Sequence, residues 1–124
     1  MVGMEPRSRG DEVAAGRSND PPVLILTSLA SGEKHGYALL QDIEAFAGVR
    51  LGPGTLYGAI GRLEQRGLIE AVGASARRRP YRLTAAGTEA LRSALADLRV
   101  IVDEGSARLS GRPVRPVSAA GEPA

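Results

Sequence analysis

Apolar positions recur with helical spacing in four places along this chain, and with strand-like spacing in one short stretch between the third and fourth. Residues 1–20 carry no such pattern; Gly, Ser, Asn, Arg, Asp and Glu are mixed there, and the segment reads as a disordered N-terminal tail. The run Val23–Ala30 is apolar without a period, but Pro21-Pro22 before it and Ser31-Gly32 after it suit the start and stop of a helix. Val23, Leu24, Ile25 and Leu26 leave that helix little polar face, so it is expected to be buried on more than one side, in the core or against another subunit. After a turn at Glu33–Gly36, Tyr37–Phe46 reads as a second helix with Leu39, Leu40, Ile43 and Phe46 as its apolar stripe.

The third helix organises the chain. Pro53 and Thr55 mark its start, with Thr55 as a cap, and Gly67 ends it. Leu56, Ile60 and Leu63 fall on one face. Thr55, Tyr57, Gly58, Ala59, Arg62 and Arg66 lie away from that line. A strand at Leu68–Val72, a turn at Gly73–Ala76 and a return strand at Arg79–Leu83 follow; Tyr81 and Leu83 share a face, and Pro80 leaves an open edge. Two helices joined by a Gly-containing connector, then an arginine-bearing hairpin, is the layout of a helix-turn-helix with a wing.

Thr84 caps the last helix. Leu91, Ala94, Leu95, Leu98, Ile101 and Val102 form its continuous stripe, longer than one small domain needs covered. Leu91, Leu95, Leu98, Ile101 and Val102 are therefore expected at a subunit interface. The fold expected is mainly α with a small antiparallel β hairpin: a winged helix-turn-helix over 21–83, a C-terminal dimerisation helix over 84–104, and a flexible Pro-, Gly- and Ala-rich tail over 105–124.

Charge sharpens this picture when counted locally. The whole chain carries only +2, but between Arg50 and Arg82 seven arginines face two glutamates, a net +5, while Leu83–Glu104 is −2. A basic centre beside a mildly acidic helix points to a polyanion on one face and another role for the other. A solvated basic surface is the alternative reading of the run Arg77-Arg78-Arg79; its position straight after a candidate recognition helix argues against it. With 124 residues, 43% of them hydrophobic, one domain with a modest core is expected. No apolar run approaches the roughly 20 residues of a membrane span, and the first residues lack the apolar region of a signal peptide, so a cytoplasmic protein is the default. There is no cysteine, hence no disulfide framework, thiolate metal site or Cys nucleophile.

Other chemistry finds little footing. Gly52-Pro53-Gly54-Thr55 lacks the Lys-Ser/Thr and the βαβ setting of a nucleotide phosphate loop. His35, the one histidine, has no Cys or second His to share a metal with. Glu33, Asp42, Glu44 and Glu64 show no pairing that marks acid–base catalysis. Neither a cofactor nor an enzyme activity is expected.

His35-Gly36-Tyr37, Gly54-Thr55-Leu56-Tyr57, Arg62-Leu63-Glu64, Gly67-Leu68-Ile69 and Tyr81-Arg82-Leu83-Thr84-Ala85-Ala86-Gly87 occur in this order. Over Val23–Val102 the sequence resembles the PadR-like family of bacterial transcriptional regulators. The resemblance implies a homodimer held largely by the last helix, often with help from the first, and repression by operator binding, relieved in some members by a small-molecule effector; a dimer presenting two recognition helices to double-stranded DNA would in turn take an inverted-repeat operator. It also implies that Tyr37 lies near the DNA backbone, and that Thr55 and Tyr57 open the recognition helix, where hydroxyls can bond phosphates or base edges. Gly58 replaces the family's usual proline. Pro80 stands where a polar or basic residue is common, which leaves basic wing contacts to Arg77, Arg78 and Arg79. The DNA-binding set expected is thus Tyr37, Thr55, Tyr57, Gly58, Arg62, Arg66, Arg77, Arg78 and Arg79. The rival reading is a winged-helix protein-interaction module whose basic wing takes an acidic partner. The aromatic residues are Tyr37, Phe46, Tyr57 and Tyr81, none in the last helix, so the aromatic drug sandwich of some relatives has no counterpart here.

Overall fold

A computed structural model describes residues 20–73 and 79–111. The tail expected over 1–20 falls almost wholly outside these residues, as do Arg77, Arg78 and 112–124. Among these residues four helices and two strands follow in the order α1 (Pro21–Leu29), α2 (Gly36–Ala47), α3 (Pro53–Gln65), β1 (Ile69–Ala71), β2 (Tyr81–Leu83) and α4 (Ala85–Ser110). Internal packing divides the chain into one unit up to Leu91 and a second beginning at Arg92, within α4.

In the first unit α1 is the hub. Its prolines occupy first-turn positions whose N–H groups have no intrahelical acceptor, so their missing donors go unmissed. Leu24, Ile25, Leu26 and Leu29 are all buried, and α2, α3 and β2 pack around the helix. This is the expected all-round burial, met inside the domain. Leu39 and Ile43 of α2, Leu56, Ala59, Ile60 and Leu63 of α3, Ile69 of β1 and Leu91 of α4 complete the core. Phe46 departs from expectation: it continues the apolar line of α2, but as the last residue but one of the helix it is 47% exposed.

Helix ends follow the glycines. Gly48 (φ 70°) closes α2 and donates to the Glu44 carbonyl at 2.9 Å. Gly67 (φ 76°) closes α3: its N–H reaches the Glu64 carbonyl at 2.9 Å and that of Leu68 reaches the Leu63 carbonyl at 3.0 Å. That pair of bonds is a Schellman motif, available because glycine takes the left-handed conformation without strain. The start of α3 differs from expectation. Gly52 is its N-cap, with no side-chain cap bond, and Thr55 lies inside the first turn.

The wing is a two-stranded antiparallel ribbon, with Ile69 opposite Leu83, Glu70 opposite Arg82 and Ala71 opposite Tyr81. Strands of three residues are marginal alone and need support. Its expected open edge is partly filled: Tyr81 N donates to the Lys34 carbonyl at 2.9 Å and Lys34 N to the Tyr81 carbonyl at 3.2 Å.

Thr84 caps α4 as expected, its Oγ1 accepting from Gly87 N at 3.0 Å, and the same hydroxyl donates to the Gly67 carbonyl at 2.7 Å. Gly87 is buried against Leu68; a Cβ there would strike the Leu68 carbonyl oxygen and sit 2.9 Å from its carbon.

Two expectations for α4 need correction. Leu91 is only 7% exposed and belongs to the core of its own chain, so it is not available to a partner. The helix does not stop at Glu104 but runs to Ser110, leaving the expected tail to begin later. One glycine inside a helix costs about 1 kcal/mol relative to alanine, too little to break a run continued by Ala107, Arg108 and Leu109. Arg108 Nε meets Glu104 Oε2 at 2.8 Å across one turn, and Gly111 (φ 76°) supplies the stop. In the second unit Leu95, Leu98, Val100, Ile101 and Val102 are exposed.

Among the described residues one polar side chain lies deep in the core. Ser28 is 1% exposed and donates to Asp42 Oδ2 of α2 at 2.6 Å. Replacing Asp42 by Ala strands that hydroxyl, which should lower stability by about 1–3 kcal/mol, whereas adding Ser28→Ala to the same variant should recover most of the loss. Urea denaturation of the two single variants and the double one measures it; additive losses would show the bond to be without effect.

Candidate nucleic-acid interface

The apolar residues of α3 are consumed by the core, which turns the rest of the helix outward. Thr55, Gly58, Arg62 and Arg66 are exposed and Tyr57 is 52% exposed. Ala59, expected among them, is instead completely buried, because its place on the helix lies beside Leu56 and Ile60. Around Gly54 and Gly61 there is open space, and only Arg62 Nη1 comes near the position a Gly58 side chain would take, at 3.6 Å. The α3 backbone is thus bare on one face, with Arg62 laid back along it. With no side-chain cap at Gly52, the first-turn amides of Gly54 and Thr55 have no acceptor within the helix.

Tyr37, in the first turn of α2, is 65% exposed, and its hydroxyl accepts a long hydrogen bond from Gln41 Nε2 at 3.4 Å. Gln41 is a neighbour the sequence reading passed over, although i, i+4 spacing on an exposed helix face brings such pairs together. Tyr57 is placed differently from expectation: the end of its ring lies against Gly36 at the start of α2.

The arginines divide into two groups. Arg82 is held by Glu70 across the ribbon at 2.8 Å, with Glu33 at 3.9 Å, and Arg50 by Glu44 at 3.1 Å. Glu33 and Glu44 lie outside the span in which charge was counted, so the local excess is smaller in space than in sequence. Arg62, Arg66 and Arg79 form no ion pair among the described residues. No group of three His, Cys, Asp or Glu suited to a metal is found among those residues, and none of their helices is long and apolar enough to cross a membrane.

A family model described as the transcriptional regulator PadR-like family matches residues 25–93. The chain belongs to the PadR-like family. The family is one of DNA-binding transcriptional regulators, which are not enzymes. Transcriptional regulator Rv3488 of Mycobacterium tuberculosis is 40% identical over 93 residues, covering 70% of this chain and 86% of its own. An uncharacterized 37.1 kDa protein in transposon TN4556 of Streptomyces fradiae is 45% identical over 96 residues, which are 77% of this chain. The matched segment spans about a quarter (26%) of that protein's length. Among solved structures, a PadR family regulator from Eggerthella lenta superposes with a TM-score of 0.69 at 28% identity, covering 87% of this chain and 96% of that one. A PadR family regulator from Clostridium difficile, at 24% identity and a TM-score of 0.64, shares the fold. The winged helix expected from the sequence is the fold of this PadR-like chain.

Where the wing meets α3, the phenol of Tyr81 is pushed above its ordinary range, first by burial and then by the Glu64 carboxylate, with Arg79 opposing. A raised folded-state value means the native protein holds that proton when the unfolded chain has lost it. The associated stability is therefore complete below the ordinary phenol range and drains away as pH climbs through it towards the folded-state value. In an alkaline titration followed by phenolate absorbance, Tyr81→Phe should remove the latest part of the rise and flatten the alkaline loss of stability. A late component that survives the substitution would assign it elsewhere.

Proposed function

We propose that this PadR-like protein represses transcription by binding an inverted-repeat operator as a homodimer, with α3 in the major groove and the wing on the flanking phosphates. The observation that carries the reading is the outer side of α3, where a bare glycine face is flanked by Thr55 and by Arg62 and Arg66, which form no ion pair among the described residues. The family supports duplex DNA as the partner. Arg62 is the side chain we assign to a guanine edge, and Arg66, Arg77, Arg78 and Arg79 to phosphates. Tyr37, Thr55 and the backbone at Gly58 complete the contact set. The repression is of the kind that a small-molecule effector relieves; with no aromatic residue in α4, the site of such an effector is not an aromatic sandwich between the last helices.

Each neutralised phosphate contributes about −0.9 to the slope of log K against log salt. Changing Arg77, Arg78 and Arg79 to Ala should flatten that slope by about 2–3 and weaken operator and scrambled duplexes alike. Arg62→Ala should instead reduce the preference for operator over scrambled duplex, by about 1–3 kcal/mol. Footprinting on the intergenic region beside the gene supplies the operator, and fluorescence anisotropy across a salt series gives the slopes. An unchanged slope removes the wing from the interface. Absence of any preferred duplex, with an acidic protein bound instead, turns the reading into a protein-interaction module.

The dimer rests on Leu95, Leu98, Ile101 and Val102, whose large side chains are exposed in this chain and recur on the helix at intervals that suit one seam. Leu98→Asp would place an unpaired carboxylate in that seam, a loss of several kcal/mol. The variant should sediment as a folded monomer, keep a helical circular dichroism spectrum, and lose operator binding with its DNA-facing residues intact. A folded Leu98→Asp protein that still sediments as a dimer and binds the operator would move the interface elsewhere.

A further inference from the structure

Gly36 opens α2 without a positive φ, so glycine is not there for backbone freedom. It is there for room. A methyl group at this position would collide with the Tyr57 hydroxyl oxygen and lie 2.6 Å from Cζ and 3.1 Å from Cε1 of the same ring. The phenol of the recognition helix is therefore pressed onto the main chain where α2 begins. Two residues earlier, both main-chain groups of Lys34 pair with Tyr81 of the wing. The three-residue stretch Lys34–Gly36 thus touches the wing at one end and the recognition helix at the other.

Resting on the DNA-binding reading above, we propose that Tyr57 is a positioning residue and not a DNA contact: its ring, seated on Gly36, sets α3 against the stretch that also holds β2. Arg62 and Arg66 on the helix and Arg79 at the wing are thereby offered to one duplex at a fixed separation. A hydroxyl that bonds a phosphate has to stand clear of the protein, whereas this one is turned onto a buried glycine. About half the surface of Tyr57 remains exposed, while the end of its ring is the part that meets Gly36. Two rigid contacts on one short segment also explain how a ribbon of three-residue strands keeps its place relative to a helix it does not belong to.

The test is a set of four variants read by melting and by binding. Tyr57→Phe keeps the ring and should leave operator affinity within about twofold of the parent, since no hydroxyl bond is lost. Tyr57→Ala should weaken operator binding about tenfold while changing scrambled-duplex binding far less, because the arginines that drive non-specific binding are untouched. Gly36→Ala, which removes no polar atom, should reproduce that selective loss and lower Tm by on the order of 5–15 °C through overpacking. In the Tyr57→Ala background the added methyl finds space, so the double variant should melt and bind like Tyr57→Ala alone. If Gly36→Ala does not fold, its recovery of folded circular dichroism in the Tyr57→Ala background reads the same rescue. Tyr57→Phe losing as much affinity as Tyr57→Ala would make the hydroxyl a DNA contact and overturn the proposal, as would additive losses in the double variant. A parent protein with no preferred duplex would instead bring down the DNA-binding reading itself, a result seen before any variant is made.

Discussion

The last carbonyl groups of a helix have no donor within it, and α1 stays buried through Ser28 and Leu29 before the chain surfaces at Ala30. Lys34 supplies one. Its Nζ lies 2.6 Å from the Ser28 carbonyl, 2.8 Å from Ser31 Oγ and 3.4 Å from the Gly32 carbonyl, a positive charge at the negative end of the helix. An ammonium group presents three donors that can turn towards three separate acceptors; a guanidinium is a flat fork and fits such a cluster poorly. That is a physical reason for the single lysine of a chain otherwise supplied with arginine to stand here. On the other side of the same residue, Ser28 sends its hydroxyl to Asp42, tying α1 to α2. The main chain of Lys34 then pairs with Tyr81, so the end of one buried helix holds the second helix and the wing together.

A second joint holds the other end of the wing. The carbonyls of Gly67 and Leu68, just beyond α3, accept from the Thr84 hydroxyl at 2.7 Å and the Thr84 amide at 3.1 Å. Gly87 lets the first turn of α4 approach Leu68 at a distance no side chain would permit. The Thr84-Ala85-Ala86-Gly87 sequence therefore does three things at once: it caps a helix, fastens the exit of β2 to the entry of β1, and seats the helix start on the turn after α3. The short ribbon is stable because both of its ends are fixed and Ile69 is in the core, not because of its own hydrogen bonds.

What could be read in the sequence was whatever depends on near neighbours. Helical spacing of Leu56, Ile60 and Leu63, the stop at Gly67 and the cap at Thr84 are local, and the elements stand where those signals put them. Contacts between distant residues were out of reach. Nothing around Lys34 announces that its main chain will pair with Tyr81, and nothing in the Gly36-Tyr37 step announces the ring of Tyr57. Faces drawn from spacing alone also erred by one position: Ala59 went inside, Phe46 stayed outside, and Leu91 joined the core because only the first turns of α4 are covered within this unit. The site was legible as a set of outward residues on α3, but not in the division of labour among them, which depends on what each side chain meets across the fold.

Charge shows the same gap between sequence and space, and here it bears on function. Carboxylates of Glu44, Glu33 and Glu70, brought from three places in the chain, take up Arg50 and Arg82. The guanidinium groups left without an ion pair among the described residues of this region are those of Arg62, Arg66 and Arg79, on α3 and at the wing. Pairing at the margins thus confines the field to the surface that would face a duplex, where each uncompensated guanidinium can displace a counterion from a phosphate. The same surface is poor in groups able to read bases. Gly54, Gly58 and Gly61 leave open backbone where a recognition helix could carry side chains, and a backbone so exposed can settle closer to the groove floor than one covered by long residues. On the DNA-binding reading, affinity is then supplied mainly by phosphates, direct readout falls to a few groups led by Arg62, and the shape and deformability of the operator must supply the rest of the discrimination.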